Sequence, residues 1–539
     1  MKNLLNSKNS VFLFEVVFLL LSVFNVFPRE AVLVITGIMI FYFIFAPLED
    51  SIWLFVASIP LFAALPISEN FDQMANWRIF LAILFLVLFF RVGISISLVK
   101  NKFGKWRLRE DVKHDQMEYL AGILIIIIAC LSLFVADDVF AGIKKILFLV
   151  NIFLLFIIIR NLTARNKNFI FELIGAIKIG IATVLIAGFA QLVFVFFVQL
   201  HIFWKFWAYK IIPIFYGQSL GNLLAYSNTW FSYHAYQTST LRMFSIFPDS
   251  HSFGLFCILA LPFFLTSIFL RKAGDKKKFV INYLLLIICL MAILFSGSRG
   301  IWVSAVGSLI IFLFFILLSY SPTLRSRKNF FITKFTHSKN WWNFFQLSIG
   351  CIMMLIFLLP ISSKILFLSQ EIQLDTDMSE ISLFGRTKSI FDFSEISVKS
   401  RLQIWQKTVD SIIAHPFLGV GIGNYPLILG EDISFAKRGS SAHNLYLDVA
   451  SEMGIFALII LLVIFYFIFK SAWEVFNNSN NLYLKYWAGF FVLALIWILG
   501  YSLFDIVLLN DKVLLFFMAN LGVLYAAKSS IGICKHSNL

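Results

Sequence analysis

Charge is what this sequence has least of. Of its 539 residues only 14% are Asp, Glu, Lys or Arg, too few for the surface of a soluble protein of that length. Cysteine is sparse too: Cys130, Cys257, Cys289 and Cys351 lie in or beside apolar runs, Cys534 lies in the tail, and no CxxC spacing occurs. Neither a disulfide framework nor a cysteine metal cluster is implied. The eight His and the carboxylates show no HxxxH or HExxH spacing, which disfavours a metal site. The 11 Pro and 27 Gly are scattered without a period, so no repeat architecture is indicated.

What remains is apolar. Hydrophobic residues make up 60% of the chain, 65 of them Phe, and the mean hydropathy is +0.89. Crossing the hydrocarbon takes a helix of about 20 residues, and runs of that order recur near 11–28, 31–47, 51–66, 78–96, 119–136, 142–160, 171–200, 251–270, 279–296, 300–319, 345–361, 446–469, 484–503 and 506–527. Continuous runs exclude a barrel, whose strands would alternate. The expected fold is an all-α polytopic membrane protein of about 12–14 transmembrane helices, with a large extracytoplasmic loop between the helices near 345–361 and 446–469. Lys2 and Lys8 before Val11–Phe27 resemble a signal sequence, but no small-residue cleavage site follows, so a retained first helix is expected.

The formal net charge of +15 concerns topology rather than nucleic acid, because it sits in short connections. Segments 97–118, 271–278 and 320–344 carry Lys and Arg clusters and fall on one side in the fourteen-span count; the opposite turns, Ala136-Asp137-Asp138 and Ser296 to Gly300, are acidic or nearly bare. Both termini are then cytoplasmic. Segments 201–250 and 362–443 become extracytoplasmic, where no ATP is available. The expected organisation is N-terminal spans 1–200, polar segment 201–250, central spans 251–361, the loop 362–443, and C-terminal spans with a short tail, 444–539.

Few polar residues are placed to do chemistry. Trp204, Trp207 and Tyr209 read as an interfacial aromatic girdle. Arg242 is the only Arg of segment 201–250 and stands among apolar residues before Pro248, as a functional cation or a snorkelling anchor. Arg299 occupies the turn Gly297-Ser298-Arg299-Gly300, whose glycines leave room for a ligand. Ser298 is placed to cap the next helix, and an Arg at a helix N-terminus suits a diphosphate; the alternative is again an anchor. Leu402, Trp405, Val409 and Ile412 form one stripe of an amphipathic helix lying on the membrane or the bundle. The turn His415 to Tyr425 is rich in glycine, matches neither the P-loop nor the dinucleotide fingerprint, and reads as a structural bend returning the loop to the site.

His443 stands just before a span, with Asn444 as a possible cap, and a neutral imidazole there can take a proton from a sugar hydroxyl. A lone His is more often structural; its place beside Arg299 on one face favours catalysis. Asp448 and Glu452 follow without a shared face, and Glu452 reads as structural or as the partner of an Arg. Asp249 and His251 make a close acid–imidazole pair, too few ligands for a metal.

In these pieces the sequence resembles the O-antigen ligase and polymerase superfamily. They are Arg242 with Phe247-Pro248-Asp249-Ser250, the turn Ser296 to Gly300, Arg401 to Trp405 leading into His415 to Gly421, and His443 to Leu447 with Glu452-Met453-Gly454. Together they span about 240–455. The resemblance implies a GT-C-like membrane transferase, moving a glycan from undecaprenyl diphosphate to an acceptor hydroxyl with inversion and without a metal or other cofactor. It implies donor diphosphate binding by Arg242 and Arg299, with Arg401 a further candidate, and His443 as general base. Asp249 stands where the family often has Asn and receives no role. The acceptor is left open among a growing repeat chain, lipid A core or a protein side chain, and the site would face the periplasm of a bacterial inner membrane. A membrane transporter or flippase is the competing class; it would show ionisable residues deep in its spans, and here Glu15, Glu172 and Lys178 lie near predicted span ends.

Overall fold

A computed structural model describes residues 8–68, 72, 74–93, 98–100, 106–108, 116–224, 231–234, 237–270, 276–320, 339–374, 396–430 and 441–536. Most of the basic cluster residues used above for orientation, and parts of the large loop at 375–395 and 431–440, lie outside the described residues.

The apolar runs are helices because in hydrocarbon every backbone N–H and C=O has to be satisfied within its own segment. The first four are short: α1 Lys8–Val23, α2 Ala31–Phe45, α3 Leu48–Ala57 and α4 Trp77–Val87. The run 51–66 is not one continuous helix. Pro60 cannot continue α3, and its carbonyl, left without a helical donor, accepts from the buried Lys512 Nζ at 2.9 Å. Ser58 at the same break donates to Glu15, which is buried within α1 rather than placed near a span end.

Longer helices follow: α5 Gln116–Ser132, α6 Val139–Arg165 and α7 Phe169–Phe197. Segment 201–250 folds as α8 Leu200–Phe206, α9 Ile212–Tyr216, α10 Gln218–Leu224 and a hairpin of β3 Phe231–His234 with β4 Gln237–Leu241, a shorter ribbon β1 Leu98–Lys100 with β2 Trp106–Leu108 having come earlier. Trp207 does more than mark an interface: it stacks on Phe203 at 5.3 Å and meets Phe244 edge-on at 5.6 Å, fixing the chain just after Arg242. Then come α11 Ser250–Phe269, α12 Lys276–Phe295, α13 Arg299–Tyr320, α14 Lys339–Leu374, the loop helix α15 Ile396–Ala414, α16 Leu445–Asn478, α17 Leu482–Tyr501 and α18 Asp511–His536.

The protein is an all-α polytopic membrane protein. Among the described residues, eight helices (α5, α6, α7, α11, α14, α16, α17 and α18) are long and apolar enough to cross a membrane, and α2, α12 and α13 contribute shorter apolar stretches. Helix α11 is the hub, enclosed by α12 and α17, while α6 packs on α18 and α16 on α17 and α5. Helix α5 sits at the perimeter, with most of its length unburied.

Candidate active site

Backbone pairing builds the His443 segment from three directions. The Ala442 carbonyl accepts from Trp405 Nε1 of α15 at 2.9 Å, the Ala442 N–H donates to Asp448 Oδ1 at 3.2 Å, and the Leu445 N–H donates to the Ser502 carbonyl at 2.8 Å. Asn444 caps α16 as expected, its Oδ1 accepting from Tyr446 and Leu447 at 3.0 and 3.2 Å. Between these anchors His443 adopts φ +46°, a left-handed conformation costly for a residue with a Cβ. Its side chain is 41% exposed, yet Nδ1 is buried with no hydrogen-bond partner. The accessible edge of the ring is therefore the one carrying Nε2.

Asp505 Oδ1 lies 4.0 Å from His443 Nδ1. Asp505 Oδ2 lies 3.3 Å from His251 Nδ1, and that nitrogen is 2.8 Å from Tyr501 Oη and 3.1 Å from Ser298 Oγ, themselves 3.0 Å apart. Ser298 thus joins this network instead of capping α13 with its side chain. Asp249, the other half of the acid–imidazole pair, caps α11, accepting from the Ser252 N–H at 2.7 Å and Ser252 Oγ at 2.8 Å.

The Ser298 turn and Arg242 meet at Gly297. With φ +66°, Gly297 lets the backbone turn between α12 and α13, and a Cβ there would stand 3.1 Å from Arg242 Cγ and 3.4 Å from its Nε. The Arg242 stem therefore lies across the turn that begins the Arg299 helix. Met243 N–H donating to the Phe295 carbonyl at 2.8 Å holds it there. Gln191 braces the next residues, its Oε1 accepting from Ser245 N–H at 2.7 Å and its Nε2 donating to Ser245 O at 2.8 Å. On the far side, Gly300 fits against Tyr501 and Phe504, so the 297–300 turn docks onto the turn that carries Asp505.

Electrostatics complete the site. Burial first, then the Arg401 guanidinium, hold the His443 pKa below 6.5 and keep the imidazole neutral. Burial pushes Asp505 up to about 6, opposed by the Ile506 N–H and by Arg401. Arg401 on α15 is thus close enough to act on both members of the pair. Burial likewise raises Asp249 to about 6, against its bonds to Ser252.

Two expectations need correcting. Asp448 and Glu452 do share a face, as residues four apart on a helix must, and both address Lys145 of α6 at 3.9 and 2.5 Å. The partner of Glu452 is accordingly a Lys, from inside a span, an ionisable group beyond the Glu15, Glu172 and Lys178 considered from the sequence. On α15, Trp405 turns inward with the buried Thr408, while Leu402 and Val409 are 55% and 41% exposed.

The glycine-rich turn docks on α16 where Gly454, at φ +83°, breaks the helix. The freed backbone is satisfied across the break, by Val420 N–H to Ser451 O and Ile455 N–H to Pro416 O, both 2.9 Å.

Sequence reasoning missed Asp505, Tyr501 and the role of His251. The available signals were a lone carboxylate in the turn between the last two spans, and an Asp249–His251 pair weighed only as a metal site.

Residues 284–462 match the family model described as O-antigen ligase. The matched stretch contains Ser298, Arg299, Arg401, His443 and Glu452, and leaves Arg242, His251, Tyr501 and Asp505 outside. No curated protein matches the chain. The resemblance noted in the sequence holds over this third of the chain, and with the surrounding spans it supports a membrane glycan ligase or polymerase.

Proposed function

We propose that this membrane protein transfers a glycan from a polyprenyl diphosphate, of the undecaprenyl type, to an acceptor hydroxyl, inverting the anomeric centre, at the extracytoplasmic face of a bacterial inner membrane. One observation carries the reading: Arg242 lies across the turn that begins with Gly297, and that turn packs onto the Asp505 turn beside His443. The supporting arrangement is two arginine positions on one turn, packed against the turn whose carboxylate stands behind a neutral imidazole.

Balanced as chemistry, the acceptor oxygen forms the new bond to the anomeric carbon as its proton passes to His443 Nε2. The bond from that carbon to the diphosphate oxygen breaks with its electron pair on the diphosphate. Arg242 and Arg299, with Arg401 at the rim, stabilise that growing negative charge, where fixed cations help most. Asp505 stabilises the imidazolium from the Nδ1 side and restrains the ring. The leaving lipid diphosphate supplies the driving force. The acceptor is a growing repeat chain, lipid A core or another hydroxyl.

Transfer by the reconstituted protein from purified undecaprenyl-diphosphate glycan tests this. His443→Ala should bind donor without transferring it, and Arg299→Ala and Arg242→Ala should lose donor binding. The half-buried Lys145 with the buried Asp448 and Glu452 supports the second reading, a transporter or flippase. Donor left intact while a lipid or solute crosses the bilayer would favour it and overturn the transferase.

A further inference from the structure

Beside the site lies a cavity of about 520 Å³ that no step above uses, enclosed by α5, α6, α16 and α18. Its ends are charged: Lys145, Asp448 and Glu452 bound one, Glu118 and Arg160 the other, and apolar side chains form the wall between. The first end adjoins the site, because Asp448 accepts from the N–H of Ala442, the residue before His443. At the other end Glu118 is held by Lys528 at 2.9 Å, and Arg160 lies 4.8 Å over the Tyr119 ring. Ile123, Ile127 and Val150 line the cavity and are 56%, 46% and 37% exposed, so it opens between α5 and α6 on the lipid-facing perimeter.

Its length selects the occupant. The helical rise from Lys145 to Arg160 is about 22 Å, whereas one leaflet contributes only about 15 Å of a hydrocarbon core of about 30 Å. A phospholipid acyl chain ends near the midplane; a chain lying along the whole cavity passes it. We propose that this cavity seats the single long isoprenoid tail of the lipid-linked donor, which enters it from the Lys145 end, next to the segment that carries His443. The assignment rests on the donor reading given above. Within a bilayer the gain is close packing rather than escape from water, so shape decides the fit. Gly122 keeps the lumen wide: it lines the cavity near the Glu118 end, and a Cβ there would meet nothing within 4 Å.

That open space makes Gly122→Trp a clean probe, since the new ring enters the lumen without a backbone clash and glycine is the poorer helix former. Transfer is measured from two donors carrying the same glycan, one on undecaprenyl and one on farnesyl diphosphate, whose tail ends before Gly122. The ratio of kcat/KM for the long donor over the short one should fall by about tenfold or more in the variant. An unchanged ratio in folded protein overturns the proposal. Wild type that transfers from neither donor sinks the transferase reading, and a second arm then decides the cavity alone. A polyprenyl phosphate with a diazirine at its far end should label α5 and α6 around Gly122, and be displaced by unlabelled polyprenyl phosphate but not by added phospholipid. Labelling elsewhere on the perimeter, or equal displacement by phospholipid, overturns the assignment.

Discussion

His443 Nδ1 faces Asp505 Oδ1 at 4.0 Å across the junction of two chain segments, and the second Asp505 oxygen is 3.3 Å from His251. One carboxylate thus serves two imidazoles, and it is buried. Burial raises its pKa from 3.8 to about 6, so ionised Asp505 costs the fold. The stability linked to a raised pKa is fully present below 3.8 and lost as pH rises through 6. Asp505→Asn should therefore melt at the same temperature as wild type or higher at pH 7.5. Its transfer rate should drop by about 10- to 100-fold, because the negative charge 4.0 Å from the imidazolium is lost. A variant that loses stability at pH 7.5 in step with activity would remove Asp505 from this role.

The His443 imidazole has its pKa held below 6.5 by burial and by Arg401. A base works in its neutral form, so transfer should persist at pH 6.5 and fall only at lower pH, with an apparent pKa shared with Asp505. Asp505→Asn should move that acid limb lower still, because a carboxylate favours the imidazolium. Arg401→Gln should move it higher. His443→Ala should lose about 10²- to 10⁴-fold in rate. pH–rate profiles of the four proteins check the signs.

How much of this could be read from the chain depends on how local each cause is. The spans, the Asn444 cap and the Gly297 turn are written in contiguous residues, so they were legible. Asp505 was not, because its place beside His443 depends on Leu445 N–H pairing with Ser502 O, a contact between the two ends of α16 and α17. Lys145 escaped for the same reason: its partners Asp448 and Glu452 lie on a helix some three hundred residues further along. The break of α16 looked like an ordinary Met453-Gly454 step inside an apolar run. Only docking of the Pro416–Val420 backbone shows why glycine is needed there.

Gly454→Ala tests that break. Its φ of +83° disfavours any side chain, and the added methyl would run into the Phe417 carbonyl. The strain alone is about 1–3 kcal/mol, and the clash forces the glycine-rich turn off α16. Thermal stability should fall well beyond the 1–3 kcal/mol level, and proteolysis should begin between residues 415 and 425. Unaltered melting would show that the turn is not held by this contact.

Lys145→Met leaves Asp448 and Glu452, each with a side chain 3% exposed, without their cation. Removing one partner from a buried ion pair costs about 3–5 kcal/mol. Because Asp448 also accepts from Ala442 N–H, the His443 turn should loosen with it. Adding Glu452→Gln should restore part of the stability, since one fewer buried charge is then stranded. Denaturant melts of both variants in detergent decide whether the cluster acts as an ion pair at all.

Gly297→Ala separates the roles of the arginine turn and the histidine. The methyl would sit 3.1 Å from Arg242 Cγ, and the backbone is left-handed, so both the stem of Arg242 and the turn ahead of Arg299 must shift. His443, Asp505 and His251 are held by other contacts, through Ser502, Tyr501 and Trp405. If the arginines hold the donor and the histidine takes the proton, this variant should raise the donor KM by about tenfold, a shift of 1.4 kcal/mol. The acid limb of its pH–rate profile should stay where wild type has it. Should the acid limb move while KM is unchanged, the turn would instead be positioning the base through Ser298 and His251, and donor binding would have to be sought at Arg401.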